Sequence, residues 1–385
     1  MKNNTQNLII IGGGIMGLFT AYYASQFIKN ITILEKRTIG NKEASSFSYT
    51  RSMRTDYLDP FYARLAYEAQ LLWKELQNTS SQQFMINCGC LNIAKKSITP
   101  DVSKTYASQS YENIQSVNFK TEKFDKETLT ARFPQFTADF ATLNVQAGML
   151  YLPTITDLLL RLLEQNNVQI IENVEITEIE ETQKCISIIT NNSCYTTEKL
   201  VITAGIWENE VLERIKNCTT VFPITKDKPQ ECKYVYPSAN DKNLFMPDAF
   251  PVFAYLDLGI YGHPIFDQRG AIKIGYYNPP DVVKKENNKI RNIADFINEC
   301  LPMLKNARTE PVTDADQCSY DLVSDDNFIL GKLPDFQNIF VGTGWSGTGY
   351  KFAPLVGKIL TQLALQRGTI YDIRRFSPER FKKTI

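Results

Sequence analysis

The stretch Leu8-Ile9-Ile10-Ile11 runs directly into Gly12-Gly13-Gly14-Ile15-Met16-Gly17. A short unbroken run of β-branched and aliphatic residues is the pattern of a strand buried on both faces of a parallel sheet. Gly12, Gly14 and Gly17 then fit G-x-G-x-x-G. In that pattern the first glycine permits a tight turn, the second lets backbone approach a pyrophosphate, and the third lets the helix pack closely on the strand. Ile15 and Met16 open the helix, which the pattern carries to about Ile28, with Ala21 as a further small packing position. Ile31-Thr32-Ile33-Leu34 reads as a second strand ending at Glu35, 18 residues after Gly17, where a carboxylate can accept hydrogen bonds from a ribose. Glycine triplets also occur in plain turns, but strand, glycines, helix, strand and acid in this order specify a dinucleotide site. NAD and FAD both fit to this point. With Lys2 before it and Ala21 and Ala24 after it, the same run imitates a signal peptide; its four glycines and the strand that follows favour a folded element.

Outward from there, Asp59-Pro60 opens a helix with apolar positions at Phe61, Leu65, Ala69, Leu72, Trp73 and Leu76. Thr154 and Asp157 resemble a capping box for a helix over 155–165, and strands are expected at 168–171, 174–179 and 184–190, the last turning at Asn191-Asn192. Leu200 to Gly205 is a buried strand that ends in small residues; 221–280 is strand-rich and aromatic, and a helix fits 286–301. Finally Ile339-Phe340-Val341 enters Gly342-Thr343-Gly344-Trp345-Ser346-Gly347-Thr348-Gly349, followed by a helix from about Pro354 to Leu365. A strand, glycine loop and helix at each end of the chain make both termini contribute to one elongated cofactor, and FAD is longer than NAD. Without internal repeats or Pro/Gly/Ser linkers, the domains are expected to be interleaved.

Composition narrows the chemistry. The 385 residues carry 42 Lys+Arg and 42 Asp+Glu, a formal net charge of zero, so nothing recruits a polyanion and a nucleic-acid partner is not expected. Eight cysteines form no scaffold spacing, which suits a reduced, cytoplasmic protein. His263 is the only histidine, so a multi-histidine metal site cannot be built and no metal is expected. No run reaches the ~18 apolar residues of a membrane span.

Five separated segments, covering nearly the whole chain, resemble the monomeric sarcosine oxidase and N-methyltryptophan oxidase family, flavoproteins of the D-amino-acid-oxidase fold class. They are the glycine fingerprint with Glu35; Ser45 with Thr50-Arg51-Ser52-Met53-Arg54, similar to the family's T-R-x-x-R; and Thr203-Ala204-Gly205-Ile206-Trp207. The fourth is Tyr261-Gly262-His263-Pro264 with Lys273-Ile274-Gly275-Tyr276, and the fifth runs from Cys318-Ser319-Tyr320 to Phe328 and from Gly344 through Lys351-Phe352.

The resemblance implies an α/β fold in which a Rossmann-type FAD-binding domain (1–85, 145–220, 315–385) is interleaved with an α+β substrate domain (86–144, 221–314) on a mixed, largely antiparallel sheet. It implies FAD held covalently through Cys318 and contacted by Gly12, Gly14, Ile15, Met16, Gly17, Glu35, Lys36, Ser45, Thr50, Arg51, Ile176, Ala204, Gly205, Trp207, Gly344, Gly347, Gly349 and Lys351. Arg54 and Lys351 become ligands of a substrate carboxylate, one a planar fork and the other a point charge. Arg51 lies beside the flavin, Lys273 stabilises charge forming on oxygen, and Tyr261 lines the substrate face. Tyr277 and Thr348 are substrate-facing positions where the family has histidines, and Ser46 and Phe47 likewise stand where histidines precede T-R. These departures argue against sarcosine itself. His263 stands where the family often has an aromatic and reads as structural.

The implied activity is that of a monomeric oxidase of a secondary or cyclic α-amino acid, sarcosine-like or pipecolate-like, with O2 as acceptor and an imine and hydrogen peroxide as products. A same-fold dehydrogenase or deaminase that does not use O2, and a non-catalytic flavin-bearing interaction module, stay open.

Overall fold

The computed structural model describes residues 6–115, 120–226, 231–276, 290–312 and 319–382. The chain divides into two compact units, one of Met1–Ser48, Pro153–Lys228 and Cys318–Ile385, the other of Tyr49–Leu152 and Pro229–Gln317.

The first unit is built around β1 (Gln6–Ile11), whose Leu8, Ile9 and Ile10 are completely buried. Strand β1 pairs in parallel with β2 (Ile31–Leu34) on one side and with Cys194–Ile202 on the other. Beyond these, Gln169–Ile171 adds in parallel to β2, and Ile339–Thr343 adds in parallel to Cys194–Ile202. The strand at 194–202 is longer than expected because, beside β1 on one edge, its other edge serves two partners in succession. Its first half pairs antiparallel with Ile186–Thr190, and its last residues, Leu200 to Ile202, pair with Ile339 to Val341. A strand enclosed on both edges and both faces admits a polar side chain only with a partner, as Thr32 has in donating to Gln6 Oε1 at 3.2 Å, which keeps these runs largely apolar.

Helix α1 (Ile15–Ser25) packs on Ala353–Ala364. The approach is close: a Cβ on Gly357 would lie 2.5 Å from the Phe19 Cβ, and Thr361 Oγ1 donates to the Thr20 carbonyl at 3.0 Å. The two ends of the sequence are thereby joined in one core. Helix α1 stops three residues before the expected Ile28.

In the second unit an eight-stranded sheet runs Arg308–Pro311, Cys232–Tyr236, Ile272–Tyr276, Ile260–His263, Val252–Tyr255, Cys90–Ala94, Phe140–Asn144, Thr121–Asp125. Only the pair 252–255 with 90–94 is parallel. Side chains alternate across a strand, and here the two faces differ sharply. Leu91, Ile93, Leu143, Phe253, Tyr255, Ile260, Ile272 and Ile274 enter an apolar core with Phe296 and Ile297. The cross-strand partners Asn144–Cys90, Asn92–Ala254, Ala254–Tyr261, His263–Lys273 and Lys273–Tyr234 form the opposite, polar face.

Residues 49–85 and 145–152, expected with the glycine loops, cluster in this unit. The reason is a three-stranded sheet in which Gly148–Tyr151 lies between Thr50–Met53 and Met85–Ile86. The helix Pro60–Ser80 follows, its first turn capped by Asp59, which accepts from the Phe61 N–H at 2.9 Å. The helix expected from 155 begins at Leu152, so Thr154 lies inside it and no capping box forms there. The helix expected over 286–301 begins at Ile293, where Asn292 caps it, and ends at Cys300; residues 286–289 lie outside the described residues.

Candidate active site

In the first unit four parallel strands present their C-terminal ends side by side. Glu35 follows β2, Gly12 to Gly14 follow β1, Thr203 to Gly205 follow the strand 194–202, and Gly344 follows 339–343. The carboxyl edge of an open parallel sheet is where such folds bind ligands. Gly12 has φ +102°, and a Cβ there would sit 2.5 Å from the Thr203 carbonyl oxygen; on Gly17 it would sit 2.0 Å from the Gly12 carbonyl oxygen. These two glycines are demanded by the protein itself. Gly14 differs: its φ is an ordinary −69°, and a Cβ would meet only Ser46 Oγ, at 3.1 Å. Having no side chain to cap α1, it leaves a helix N-terminus suited to an anion, with Ser46 Oγ accepting from the Ile15 N–H at 3.0 Å. Glu35 accepts from the Gly13 N–H at 2.6 Å and the Arg37 N–H at 2.9 Å, so its carboxylate is fixed against the loop. A loop in which only the Ser46 hydroxyl approaches a Gly14 Cβ, a helix end whose N-cap has no side chain and an anchored acid fit the pyrophosphate and ribose of FAD.

The remaining expected cofactor residues of this unit are placed as follows. Ser45 Oγ donates to the Ser319 carbonyl at 2.8 Å; Lys36 is exposed, 3.9 Å from Glu210; Ile176 begins a strand; Trp207 stacks under Arg37 at 5.8 Å. In the C-terminal loop Gly344 and Gly347 have φ +73° and +72°, which only glycine adopts freely, and Cβ on Gly349 would lie 2.6 Å from that of Trp345. Thr348 and Lys351 close the loop on itself, Lys351 Nζ donating to the Thr348 carbonyl at 2.9 Å.

Two buried acids in this region are not singled out by the sequence patterns. Glu208 Oε2 accepts from the Ala204 N–H at 2.9 Å, and Asp321 Oδ2 from the Gly344 N–H at 2.8 Å. Thr343 Oγ1 ties the two loops by donating to the Gly205 carbonyl at 3.2 Å. Burial pushes Glu208 up to about 8, aided by Asp321 and opposed by the Ala204 N–H. Burial likewise pushes Asp321 up to about 6. Glu208 carries a local signal, an acid three residues after Gly205, whereas Asp321 has no glycine near it in sequence and meets the Gly344 loop only through the fold.

In the second unit the polar sheet face gathers the other expected residues. Lys273, 5% exposed, donates through Nζ to the Thr50 carbonyl at 3.5 Å and lies 5.6 Å from the centroid of the Tyr261 ring. Its strand alternates, but the face that carries it is enclosed. His263 is gripped at both ring nitrogens, by Thr50 Oγ1 at 2.7 Å and Ser52 Oγ at 2.8 Å, so it clamps the strand that carries Arg51. Arg51 Nη1 reaches the Thr50 carbonyl at 3.4 Å.

Arg54, 7% exposed, lies against the rings of Tyr57 at 4.7 Å and Tyr106 at 5.7 Å. Its Nη1 donates to the Asp56 carbonyl and to the Tyr106 hydroxyl, and no described contact engages Nε or Nη2. Burial works against its charge, but Tyr106 and Tyr57 outweigh that and hold the guanidinium above its usual value. Asp56, two residues on, Tyr106 at the start of the helix Tyr106–Gln115, and Asn92 and Asn144, which act on Asp56 from neighbouring strands, complete this cluster; the last three reach it only through the fold. Cys318 and Tyr277 lie outside the described residues.

A family model described as FAD dependent oxidoreductase (DAO) matches residues 7–363. The chain is 27% identical over 387 residues to a human peroxisomal sarcosine oxidase, covering 97% of this chain and 95% of that protein. It is 26% identical over 388 residues to an N-methyl-L-tryptophan oxidase of Yersinia pestis, covering 98% and 99%. Among solved structures, L-proline dehydrogenase from P. horikoshii superposes with a TM-score of 0.80 at 20% identity, over 98% of both chains. Glycine oxidase from Geobacillus kaustophilus gives 0.78 at 17%, over 98% of this chain and 99% of that one.

Proposed function

The chain belongs to the DAO family of FAD-dependent oxidoreductases, and from that membership we propose that it oxidises a secondary or cyclic α-amino acid with O2 as acceptor. Bound FAD supplies a two-electron acceptor for the hydride equivalent on the carbon next to nitrogen, its electrons passing to O2 to give hydrogen peroxide beside an imine that water hydrolyses. The protein's part is positioning and electrostatics. Arg54 and Lys351 bind the substrate carboxylate, and Tyr261 lines the substrate face. Arg51 sets a positive charge beside the flavin, and Lys273 stabilises the charge that develops on oxygen.

The observation that carries this reading is Arg54. A buried guanidinium is held by two neutral oxygens through Nη1 alone, with no acid in ion-pair range among the described residues. An anchored fork whose side chain forms no salt bridge among the described residues is suited to bidentate carboxylate binding.

The test is an anaerobic panel of N-methyl and cyclic amino acids read at the flavin band, followed by admission of air. Bleaching by such substrates with fast recovery is expected. Slow recovery would favour a dehydrogenase, and failure of every amine to bleach would favour a non-catalytic flavoprotein. We further propose a thioether link to Cys318. Acid-precipitated wild type should then stay yellow and Cys318→Ala should not; flavin freed from wild type would reject the link and leave FAD binding intact.

A further inference from the structure

Asp56 stands two residues beyond Arg54 and is 2% exposed. Its Oδ2 is closed off from solvent and has no hydrogen-bond partner among the described residues. Its backbone carbonyl, by contrast, is saturated, accepting from Arg54 Nη1 and from the Tyr106 hydroxyl at 2.7 Å. Arg54 and Asp56 are therefore fixed relative to one another by the backbone without forming an ion pair between their side chains.

The groups acting on this carboxyl and on Arg54 beside it come from four elements. Arg54 and Tyr57 lie on its own segment, and Tyr106 comes from the helix Tyr106–Gln115, whose first N–H binds Asp257 at 3.0 Å. Cys90 and Asn92 come from the strand 90–94, and Asn144 from 140–144. Arg54 is the one cation acting on it among the described residues. Burial favours the neutral acid and Arg54 with the two amides favours the anion; the balance leaves Asp56 at about 6. In a region shut off from water, a change of charge on Asp56 acts on Arg54 with little screening.

We infer that Asp56 is a tuning residue of the carboxylate site: protonated, it leaves Arg54 uncompensated for an anionic substrate, and ionised, it offsets Arg54 and weakens that binding. The inference rests on the reading of Arg54 as a carboxylate ligand. The proton lost from Asp56 goes to solvent as pH rises, so affinity for a carboxylate falls on passing upward through about 6. Linkage makes this reciprocal: binding an anion must raise the affinity of Asp56 for its proton.

The FAD-loaded full chain should be titrated with thiophene-2-carboxylate, which stays ionised from about pH 5 to 8, following the flavin absorbance. In wild type Kd should rise about tenfold across that range, the equivalent of one unit of pKa coupling. Asp56→Asn should bind at both ends with the low-pH wild-type affinity. A wild-type Kd that does not change with pH, or an Asp56→Asn protein that reproduces the wild-type rise, would overturn the inference. A measurement on wild type alone removes dependence on the variant's folding. Calorimetry near pH 6 in two buffers of different ionisation heat should show net proton uptake on binding, and none would reject the role. Failure of the underlying reading looks different: Arg54→Ala would then bind the carboxylate at pH 5 as tightly as wild type.

Discussion

The glycine edge of the first unit and the polar sheet face of the second present their candidate binding groups by opposite means. At the first, function lies in missing side chains. Gly12 and Gly17 have no room for a Cβ, a Cβ on Gly14 would press only on the Ser46 hydroxyl, and the groups on offer are backbone N–H and a helix end. At the second, the candidate groups are side chains held where they are costly to hold: Arg54 and Lys273 are both nearly buried, oriented by carbonyls, hydroxyls and aromatic rings. Backbone sites are therefore expected to fail by steric collision, all or nothing, and side-chain sites by graded loss of interaction energy.

The largest expected effect breaks the first region. Gly17→Ala should yield protein without bound flavin and with a lowered melting temperature, since its Cβ would meet the Gly12 carbonyl at 2.0 Å. Gly14→Ala sharpens the comparison: thermal denaturation of the apo-protein should match wild type while FAD affinity falls. Equal FAD affinity in Gly14→Ala would remove the argument that the space above this residue serves the cofactor.

In the second region Lys273→Met should slow reoxidation of the reduced flavin by roughly a hundredfold or more in stopped-flow measurements, the scale of losing one preorganised charge or donor at developing negative charge. Its carboxylate affinity should change far less. Arg54→Ala here, and Lys351→Ala in the glycine loop of the first unit, should show the reverse, each weakening a carboxylate inhibitor by about ten- to a hundredfold for the loss of about 1.5 to 3 kcal/mol. Reoxidation unchanged in Lys273→Met would show that the two kinds of cation do not divide the work as proposed.

The smallest effect concerns stability and returns to the first region. Glu208 is held by burial at about 8, well above an ordinary carboxyl group. The folded protein thus keeps a proton that the unfolded chain releases. Its contribution is full below the ordinary carboxylate range and is lost as pH rises from there through about 8. Glu208→Gln should flatten that decline in melting temperature between about pH 5 and 8, with Asp321 accounting for what slope persists near 6.

Several elements are legible in the chain itself because their cause is local. The buried strand at 8–11, the turn that only glycine can make at Gly12, the cap of Asp59 on its helix and the second loop at 344–349 each follow from residues within a few positions of one another. The boundary residues are less legible. The strand ending at Ile202 is extended by its pairing with 186–190, and residues 49–85 cluster with the second unit because of a partner strand at 148–151. Both are long-range pairings that leave no local mark.

By itself, then, the sequence determined the parallel nucleotide-type edge and the identity of the cationic residues, because steric exclusion at a glycine and formal charge belong to single residues. Tertiary structure alone decided which alternating face of the 272–276 strand is enclosed, that His263 bonds both Thr50 and Ser52, and that the Asp56 Oδ2 lies without a partner beside Arg54. Burial and register are properties of pairs of residues tens to hundreds of positions apart, and it is burial that turns an ordinary lysine, arginine or aspartate into a group whose charge can act at a distance.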